Sequence, residues 1–354
     1  MRLTGLLVAI FFLASSLFAE NLVLVNGTIV DGTGKPRAVG SVRIRDGKIA
    51  DIGVVKLTPN ETRLDVKGMI VAPGFIDLEG GDTKSAALTG VTTVVLGSDG
   101  TGPYAVEEFM SPFDEKPPAV NIAMLAGHST IRRQILGPNY KRAATAAEVG
   151  LMSELLRDAM SQGAFGFASD LRNEPASFST PDELAGLAKV LGQFGGTFFV
   201  HPSEEMIQSS LDVARNAKVT VEFSLDKLTS AVVGDLNKAR MQGVDVGAHL
   251  YSLTEPAADL KTLLLNPMLA ISFAQYVKDD KGTTLERAIQ KLTSLPASRV
   301  SLRERGVLRK GVPADIVVFN PIDSSKAIRY VFVNGMIAVK DGEATEARAG
   351  QALR

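Results

Sequence analysis

The middle of the chain, residues 69–300, alternates short apolar runs with amphipathic stretches of helical period, and this alternation constrains the fold more than any other feature. Such short runs are expected of strands buried on both faces of a parallel sheet. Strands and helices alternating over about 230 residues predict a (β/α)8 TIM-like barrel, with a doubly wound open sheet as the alternative. The predicted strands are 69–76, 91–96, 120–126, 164–168, 197–200, 219–223, 244–248 and 268–273.

Helix starts between these strands are marked by capping boxes, which begin at Thr145, Thr180 and Thr283. In a capping box the Thr hydroxyl accepts from the amide three residues on, while a Glu side chain reaches back to the Thr amide. The boxes therefore predict helices that begin just after these three residues.

Both ends of the chain carry short β patterns separated by turns. Asn26-Gly27, Asp46-Gly47 and Asn334-Gly335 are typical of tight turns between strands. We predict one small β-sandwich assembled from residues 20–68 and 301–354, with the barrel at 69–300 between them.

The first nineteen residues differ in character from the rest. Arg2 precedes an uncharged apolar stretch at 6–13, and small residues lead to Ala19. This pattern predicts a secretory signal peptide at 1–19, a periplasmic or secreted protein, and no membrane span after cleavage. A buried N-terminal helix or a membrane anchor is the alternative.

Composition excludes several kinds of binding partner and metal site. The chain has 38 Lys and Arg against 39 Asp and Glu, so its charge gives no reason to expect nucleic acid as a partner. Cysteine is absent, which excludes disulfides and thiolate metal sites. The three histidines are His128, His201 and His249, and each follows or ends a predicted strand.

Several segments, taken in their order along the chain, resemble the amidohydrolase superfamily and in particular its D-aminoacylase (N-acyl-D-amino-acid deacylase) branch. The resemblance spans nearly the whole chain after residue 20. The segments are NGTIVDGTGKP (26–36), VRIRDGKIADIG (42–53), GMIVAPGFID (68–77), GVTTVV (90–95), LAGHSTIR (125–132), GAFGFAS (163–169), LTSLPA (292–297) and RGVLRKGVPAD (305–315).

This resemblance implies a barrel with divalent metal at its C-terminal face and hydrolysis of an amide or related C–N bond, with a small acylated amino acid or amide as the partner. Metal-bound water is the nucleophile in such sites. An oligomer is compatible with the sequence, which does not fix the oligomeric state.

The family's metal-ligand motifs are degenerate in this chain. Where the first strand should end in Asp-x-His-x-His, Glu79 and Gly81 follow Asp77 instead. Asp99 stands at the position of a metal-bridging Cys, and Leu225 where strand six should end in His. His201 matches the strand-five His ligand, and 268–275 offers no carboxylate for strand eight.

The remaining donors predict one divalent metal, with Zn²⁺ the first choice, held by His201, Glu79, Asp99 and His249. Asp99 and Glu204 are the predicted catalytic residues. The predicted substrate-binding residues are His128, Arg132 and Tyr251. Alternatively, His128 and His249 are hydrogen-bonded core or loop residues, Glu79 and Asp99 are loop carboxylates, and Arg132 belongs to a surface pair.

Three hypotheses follow from the sequence. The first is a metal-dependent hydrolase of non-peptide C–N amide bonds with a rebuilt or reduced metal site. The second is a catalytically inactive relative without metal that serves as a ligand-binding or scaffold protein of the cell envelope. The third is a periplasmic barrel of unrelated chemistry.

Overall fold

The computed structural model describes residues 21–80, 82–227, 229–250, 284–320 and 327–354. The predicted signal peptide, Gly81, Tyr251 and the predicted eighth barrel strand lie outside these residues. The strands are β1 (Leu22–Ile29), β2 (Ala38–Arg45), β3 (Lys48–Gly53), β4 (Thr62–Asp65), β5 (Ile70–Pro73), β6 (Phe75–Asp77), β7 (Val91–Leu96), β8 (Asn121–Gly127), β9 (Gly166–Asp170), β10 (Thr197–His201), β11 (Thr220–Leu225), β12 (Val246–Leu250), β13 (Ile316–Phe319), β14 (Ile328–Val333), β15 (Met336–Lys340) and β16 (Glu343–Ala344).

Helices follow most strands of the middle region, and the capping signals locate their starts. Thr145 forms the full predicted capping box, and the Thr180 hydroxyl accepts from the Glu183 amide. The third helix begins one residue later than predicted, because Thr284 is its N-cap. The helices are α1 (Thr83–Leu88), α2 (Val106–Met110), α3 (Pro112–Glu115), α4 (His128–Leu136), α5 (Ala146–Ser161), α6 (Pro181–Phe194), α7 (Ile207–Ala217), α8 (Ser230–Met241), α9 (Leu285–Leu292) and α10 (Ser294–Arg299).

Strands β6 to β12 form a seven-stranded sheet in which every adjacent pair is parallel. Their order in the sheet is their order in the chain. A doubly wound sheet reverses its strand order at a switch point, so this sequential order within the described residues favours the barrel over that alternative.

The two ends of the chain build one nine-stranded sheet. Its order is β16-β15-β14-β13-β5-β1-β2-β3, and β4 pairs with β1. The antiparallel pairing of β13 with β5 joins the two ends, with Ile316 opposite Pro73. Because β5 belongs to this sheet, the sheet extends past the predicted boundary at residue 68. Its apolar core, which includes Leu24, Ile44 and Phe332, is separate from the barrel core.

None of the helices in the described part of the chain is both long enough and apolar enough to cross a membrane.

Candidate active site

Glu79 lies at the centre of a polar cluster at the carboxyl ends of the parallel strands. It follows β6, and its N–H donates to Asp77 Oδ1 (3.0 Å). Its Oε2 accepts from the Ser98 hydroxyl (3.1 Å), and its Oε1 accepts from the Ser224 hydroxyl. The Glu79 side chain is 7% exposed. These residues meet because the carboxyl ends of parallel strands share one edge of the sheet.

His249, on β12, is held between two carboxylates. Its Nε2 contacts Glu79 Oε1, and its Nδ1 lies 2.9 Å from Glu222 Oε1. Burial alone would lower the pKa of the imidazole, but the hydrogen bonds with Glu222 and Glu79 outweigh burial and raise the pKa to about 9. His249 is therefore an imidazolium at neutral pH.

The place of Glu222 beneath His249 depends on a glycine in the neighbouring strand. In the pairing of β11 with β12, Glu222 lies opposite Gly247 and Ser224 lies opposite His249. A Cβ at position 247 would lie 1.8 Å from Glu222 Oε2, so glycine leaves the room that the carboxylate occupies. Glu222 and Ser224 are two residues apart in one strand, and their side chains therefore point to the same face.

His201, the last residue of β10, is fully buried and faces two carboxylates. Its Nδ1 lies 3.6 Å from Asp170 Oδ2 and 3.0 Å from Arg172 Nη2, and its Nε2 lies 3.8 Å from Glu79 Oε1. Burial works against protonation of the ring, but the nearby carboxylates of Asp170 and Glu79 outweigh burial and raise the pKa of His201. Asp170 is itself fixed by Arg172, which donates to both of its carboxylate oxygens.

A pocket of about 350 Å³ opens beside the cluster. Small-molecule sites combine an apolar lining with a few polar groups that orient the ligand, and this pocket has both. Its polar lining includes Glu79, Ser98 and Asp99, and its apolar lining includes Leu96, Phe109 and Met124.

Known proteins resemble the chain over almost its whole length. D-aminoacylase from Alcaligenes xylosoxydans xylosoxydans is 26% identical over 471 aligned positions, which cover 94% of this chain and 97% of that protein. N-acyl-D-glutamate deacylase from the same organism is 27% identical, with 94% and 96% covered. The amidohydrolase family model matches residues 253–339.

Solved structures agree with these relatives. A crystal structure of N-acyl-D-glutamate deacylase from Bordetella bronchiseptica, complexed with zinc and a phosphonate inhibitor, is 25% identical with a TM-score of 0.80 and covers 94% of this chain and 99% of that chain. A crystal structure of D-aminoacylase has a TM-score of 0.81 at 23% identity, with the same coverage. The chain resembles the D-aminoacylase branch of the amidohydrolase superfamily over nearly its whole length. The predicted barrel class is confirmed.

This chain is shorter than the D-aminoacylase that it resembles. The 471 aligned positions outnumber its 354 residues, so the D-aminoacylase carries insertions that this chain lacks.

Of the four predicted metal ligands, the structure brings together Glu79, His201 and His249. Asp99 does not join them, because it is exposed and its carboxylate accepts from the Thr101 amide (3.0 Å) and hydroxyl. Its neighbour Ser98 reaches Glu79 instead. The geometry therefore does not support Asp99 as a metal ligand or a catalytic residue.

His128 and Arg132 lie in the protein interior and not on the pocket. Both are fully buried. His128 Nδ1 lies 2.7 Å from Ser169 Oγ and its Nε2 lies 2.8 Å from Glu183 Oε1, while Arg132 donates to the other oxygen of Glu183. Side chains with no exposed surface cannot contact a substrate in the pocket, so the alternative of hydrogen-bonded core residues applies to both.

Glu204 lies in a short 3₁₀ turn, Glu204–Met206, and is exposed. The carboxylates that face His201 are those of Asp170 and Glu79, so the arrangement gives no support to a catalytic Glu204. Sequence reasoning missed Asp170, Glu222 and the hydroxyls of Ser98 and Ser224. A usable signal existed for Glu222, which lies inside a strand run where a charge needs a partner, whereas Asp170 is the last residue of its strand.

The divalent metal that the family implies does not fit the donors that the described residues provide. Within residues 21–80, 82–227, 229–250, 284–320 and 327–354, no three His, Cys, Asp or Glu side chains are arranged to hold a metal ion. Glu79 Oε1 contacts His249 Nε2 directly, and Glu222 engages the other ring nitrogen. Both nitrogens of His249 are therefore committed to carboxylates, and a metal ligand needs one of them free of a proton.

Proposed function

We propose that this protein hydrolyses the amide bond of small N-acylated amino acids at the pocket beside Glu79. The observation that carries the proposal is the cluster of Glu79, His249 and Ser224 at the carboxyl ends of the barrel strands. Barrel enzymes hold their active sites at this face. The relatives named above as D-aminoacylase and N-acyl-D-glutamate deacylase support the choice of substrate class.

The zinc of the N-acyl-D-glutamate deacylase structure is not carried over to this chain, because the donors do not fit it. The reaction proposed here therefore relies on side chains. His249 can exchange a proton with a bound substrate through Nε2, and Glu222 holds the ring from the opposite side. General acid–base groups placed in this way contribute typically about 10²- to 10⁴-fold to a rate.

A catalytically inactive relative is the second candidate, and a specific observation favours it. Family ligand positions are occupied by Gly81 and Leu225, neither of which can donate to a metal. If the cluster serves only to stabilise the barrel, the pocket would bind acylated amino acids without converting them.

The test is amine release from N-acetyl derivatives of acidic and neutral amino acids in both D and L forms. Wild type is expected to turn over at least one of them, and His249→Gln is expected to lose most of that rate. Glu154→Gln is the control, since Glu154 is 73% exposed on α5 and should leave the rate unchanged. Absence of turnover by folded wild-type protein would favour the inactive relative.

Metal dependence is measured in the same assay. A chelator is expected to leave turnover unchanged. Loss of activity that stoichiometric zinc restores would show that the donors rearrange around a cation, and would contradict the fit argued above.

We also propose that the reaction takes place outside the cytoplasm, which the signal-peptide pattern at 1–19 supports. N-terminal sequencing of protein recovered from the periplasm or medium should begin near Glu20. A start at Met1 would contradict this.

A further inference from the structure

We propose that Arg133 binds the carboxylate of the substrate in a second cavity, which adjoins the pocket beside Glu79. The inference rests on the proposed function for its substrate, an acylated amino acid, which has both an amide bond and a free carboxylate. The second cavity has a volume of about 410 Å³ and is lined by Thr101, Tyr104, Ser129, Thr130, Arg133 and Gln134. Thr101 lines the pocket beside Glu79 as well, so both cavities border the same residue.

The lining of the pocket beside Glu79 is acidic. Among the described residues it contains two acids, Glu79 and Asp99, and neither lysine nor arginine. The imidazolium of His249 contacts Glu79 through Nε2 and Glu222 through Nδ1, so its charge is already matched by carboxylates. A substrate carboxylate in this pocket would therefore face like charges without a cation to bind it, which is unfavourable.

The cavity at Arg133 has the opposite charge. Arg133 is exposed and is the charged side chain of that lining, and the other lining side chains carry hydroxyl or amide groups. Within the described part of the chain no ion pair includes Arg133. Glu174, an acid whose charge interacts with Arg133, is itself bound by the Tyr140 hydroxyl (2.8 Å) and by Lys141 (3.0 Å). The guanidinium therefore remains available to an anion that enters the cavity.

The guanidinium of Arg133 is held in place by an aromatic ring. It lies over the ring of Tyr140, 4.7 Å from the ring centroid. A stacked guanidinium keeps its planar set of N–H donors free at the edge, where it can bind a carboxylate through two parallel hydrogen bonds. Arg132, the arginine predicted to bind substrate, points elsewhere because consecutive residues of a helix do not share a face. The arginine that can reach a substrate is its neighbour.

The boundary between the two cavities is fixed by hydrogen bonds. The Thr130 hydroxyl donates to the carbonyl of Thr101 (2.9 Å), and the Ser129 amide donates to the carbonyl of Gly100 (2.9 Å). These contacts hold the start of α4 against the loop after β7. Because the Ser129 amide is used in this way, the side chains rather than the helix N-terminus provide the anion site. A substrate that spans Thr101 would place its amide near Glu79 and its carboxylate on Arg133.

Calorimetric titration with N-acetylleucine and with its carboxamide, N-acetylleucinamide, tests this without requiring turnover. Leucine suits the pocket beside Glu79, whose apolar lining includes Leu96, Phe109 and Met124. For the enantiomer that binds better, wild type is expected to bind the acid about 10-fold more tightly than the carboxamide. Arg133→Gln should lose this preference and bind the carboxamide as wild type does. Arg133→Lys should keep part of it, because lysine retains the charge but not the paired donors.

Arg157→Gln is the matched control, because it removes the same charge from a side chain that lies on α5, outside both linings, and is 43% exposed. It should keep the preference of wild type for the acid, and circular dichroism should show all variants folded. Added salt should weaken binding of the acid to wild type and leave binding of the carboxamide unchanged. Equal affinity of wild type and Arg133→Gln for the acid, or loss of the preference in Arg157→Gln as well, would overturn the role of Arg133.

The outcomes separate the carboxylate site from the proposed function. Binding of N-acetylleucine that depends on Arg133, without turnover of any N-acyl amino acid, would support the site and overturn the function. Turnover with the same KM in wild type and Arg133→Gln would overturn the site and leave the function standing. Titration with inorganic phosphate covers the remaining case. Phosphate binding that requires Arg133, with unchanged binding of N-acetylleucine in Arg133→Gln, would make the cavity a separate anion site and overturn its link to the substrate.

Discussion

Protonated His249 should stabilise this fold at neutral pH and cease to do so in alkali. Its pKa is about 9 in the folded protein against 6.5 for an ordinary histidine. Because the folded-state pKa is the higher one, the stabilisation is fully present below about pH 6.5 and is lost as the pH rises through about 9. At about 1.4 kcal/mol per pKa unit, the shift corresponds to about 3 kcal/mol in the free energy of unfolding.

Urea unfolding followed by circular dichroism at about pH 6 and about pH 9.5 measures this loss. Wild type should lose about 3 kcal/mol more than His249→Gln between the two pH values. Equal losses in the two proteins would refute the two-carboxylate environment of His249.

Three further predictions concern packing and capping. Gly247→Ala should lower the free energy of unfolding by about 1–3 kcal/mol and displace Glu222. The control is Gly234→Ala in α8, where an added Cβ meets no atom within 4 Å, and this variant should be as stable as wild type or more stable. Equal shifts of the melting temperature in the two variants would contradict this. Glu183→Ala should lower the free energy of chemical unfolding by about 3–5 kcal/mol, because it leaves Arg132 buried without its carboxylate partner. A loss below about 1 kcal/mol would argue against that ion pair. Thr145→Ala removes a complete capping box and should cost about 1 kcal/mol, and an unchanged melting temperature would contradict the capping geometry.

The fold could be predicted largely from local patterns. Strand and helix periods along the middle of the chain located β7 to β12 to within two or three residues, because buried parallel strands are marked by their own composition. Capping boxes located α5 and α6 because their signal involves neighbouring residues. The pairing of β13 with β5 follows from β patterns at both ends, although its register could not be read from either end alone.

The site was harder to predict because its contacts join distant strands. Ser224 and Glu79 are 145 residues apart in the sequence. A single serine in an apolar strand does not change the hydrophobic pattern, so the pattern gives no indication of its role. Family alignment pointed to Asp99, yet the turn after β7 directs Ser98 to Glu79 and engages Asp99 with Thr101. A motif fixes which residue types are present, whereas side-chain direction is set by the local backbone.

The positions of the histidines in the sequence led to a similar error in the predicted site. His128 follows a barrel strand just as His201 ends one, and the sequence does not indicate which ring lies near Glu79. The difference arises from α6, whose Glu183 contacts His128 from a separate element. Burial of that pair is a tertiary property.

The most direct test of the account is amine release from N-acetyl amino acids by wild-type protein in the presence of a chelator. The account predicts that turnover persists under these conditions and is lost in His249→Gln. Turnover that the chelator abolishes and zinc restores, or no turnover by the folded protein with or without metal, would contradict it.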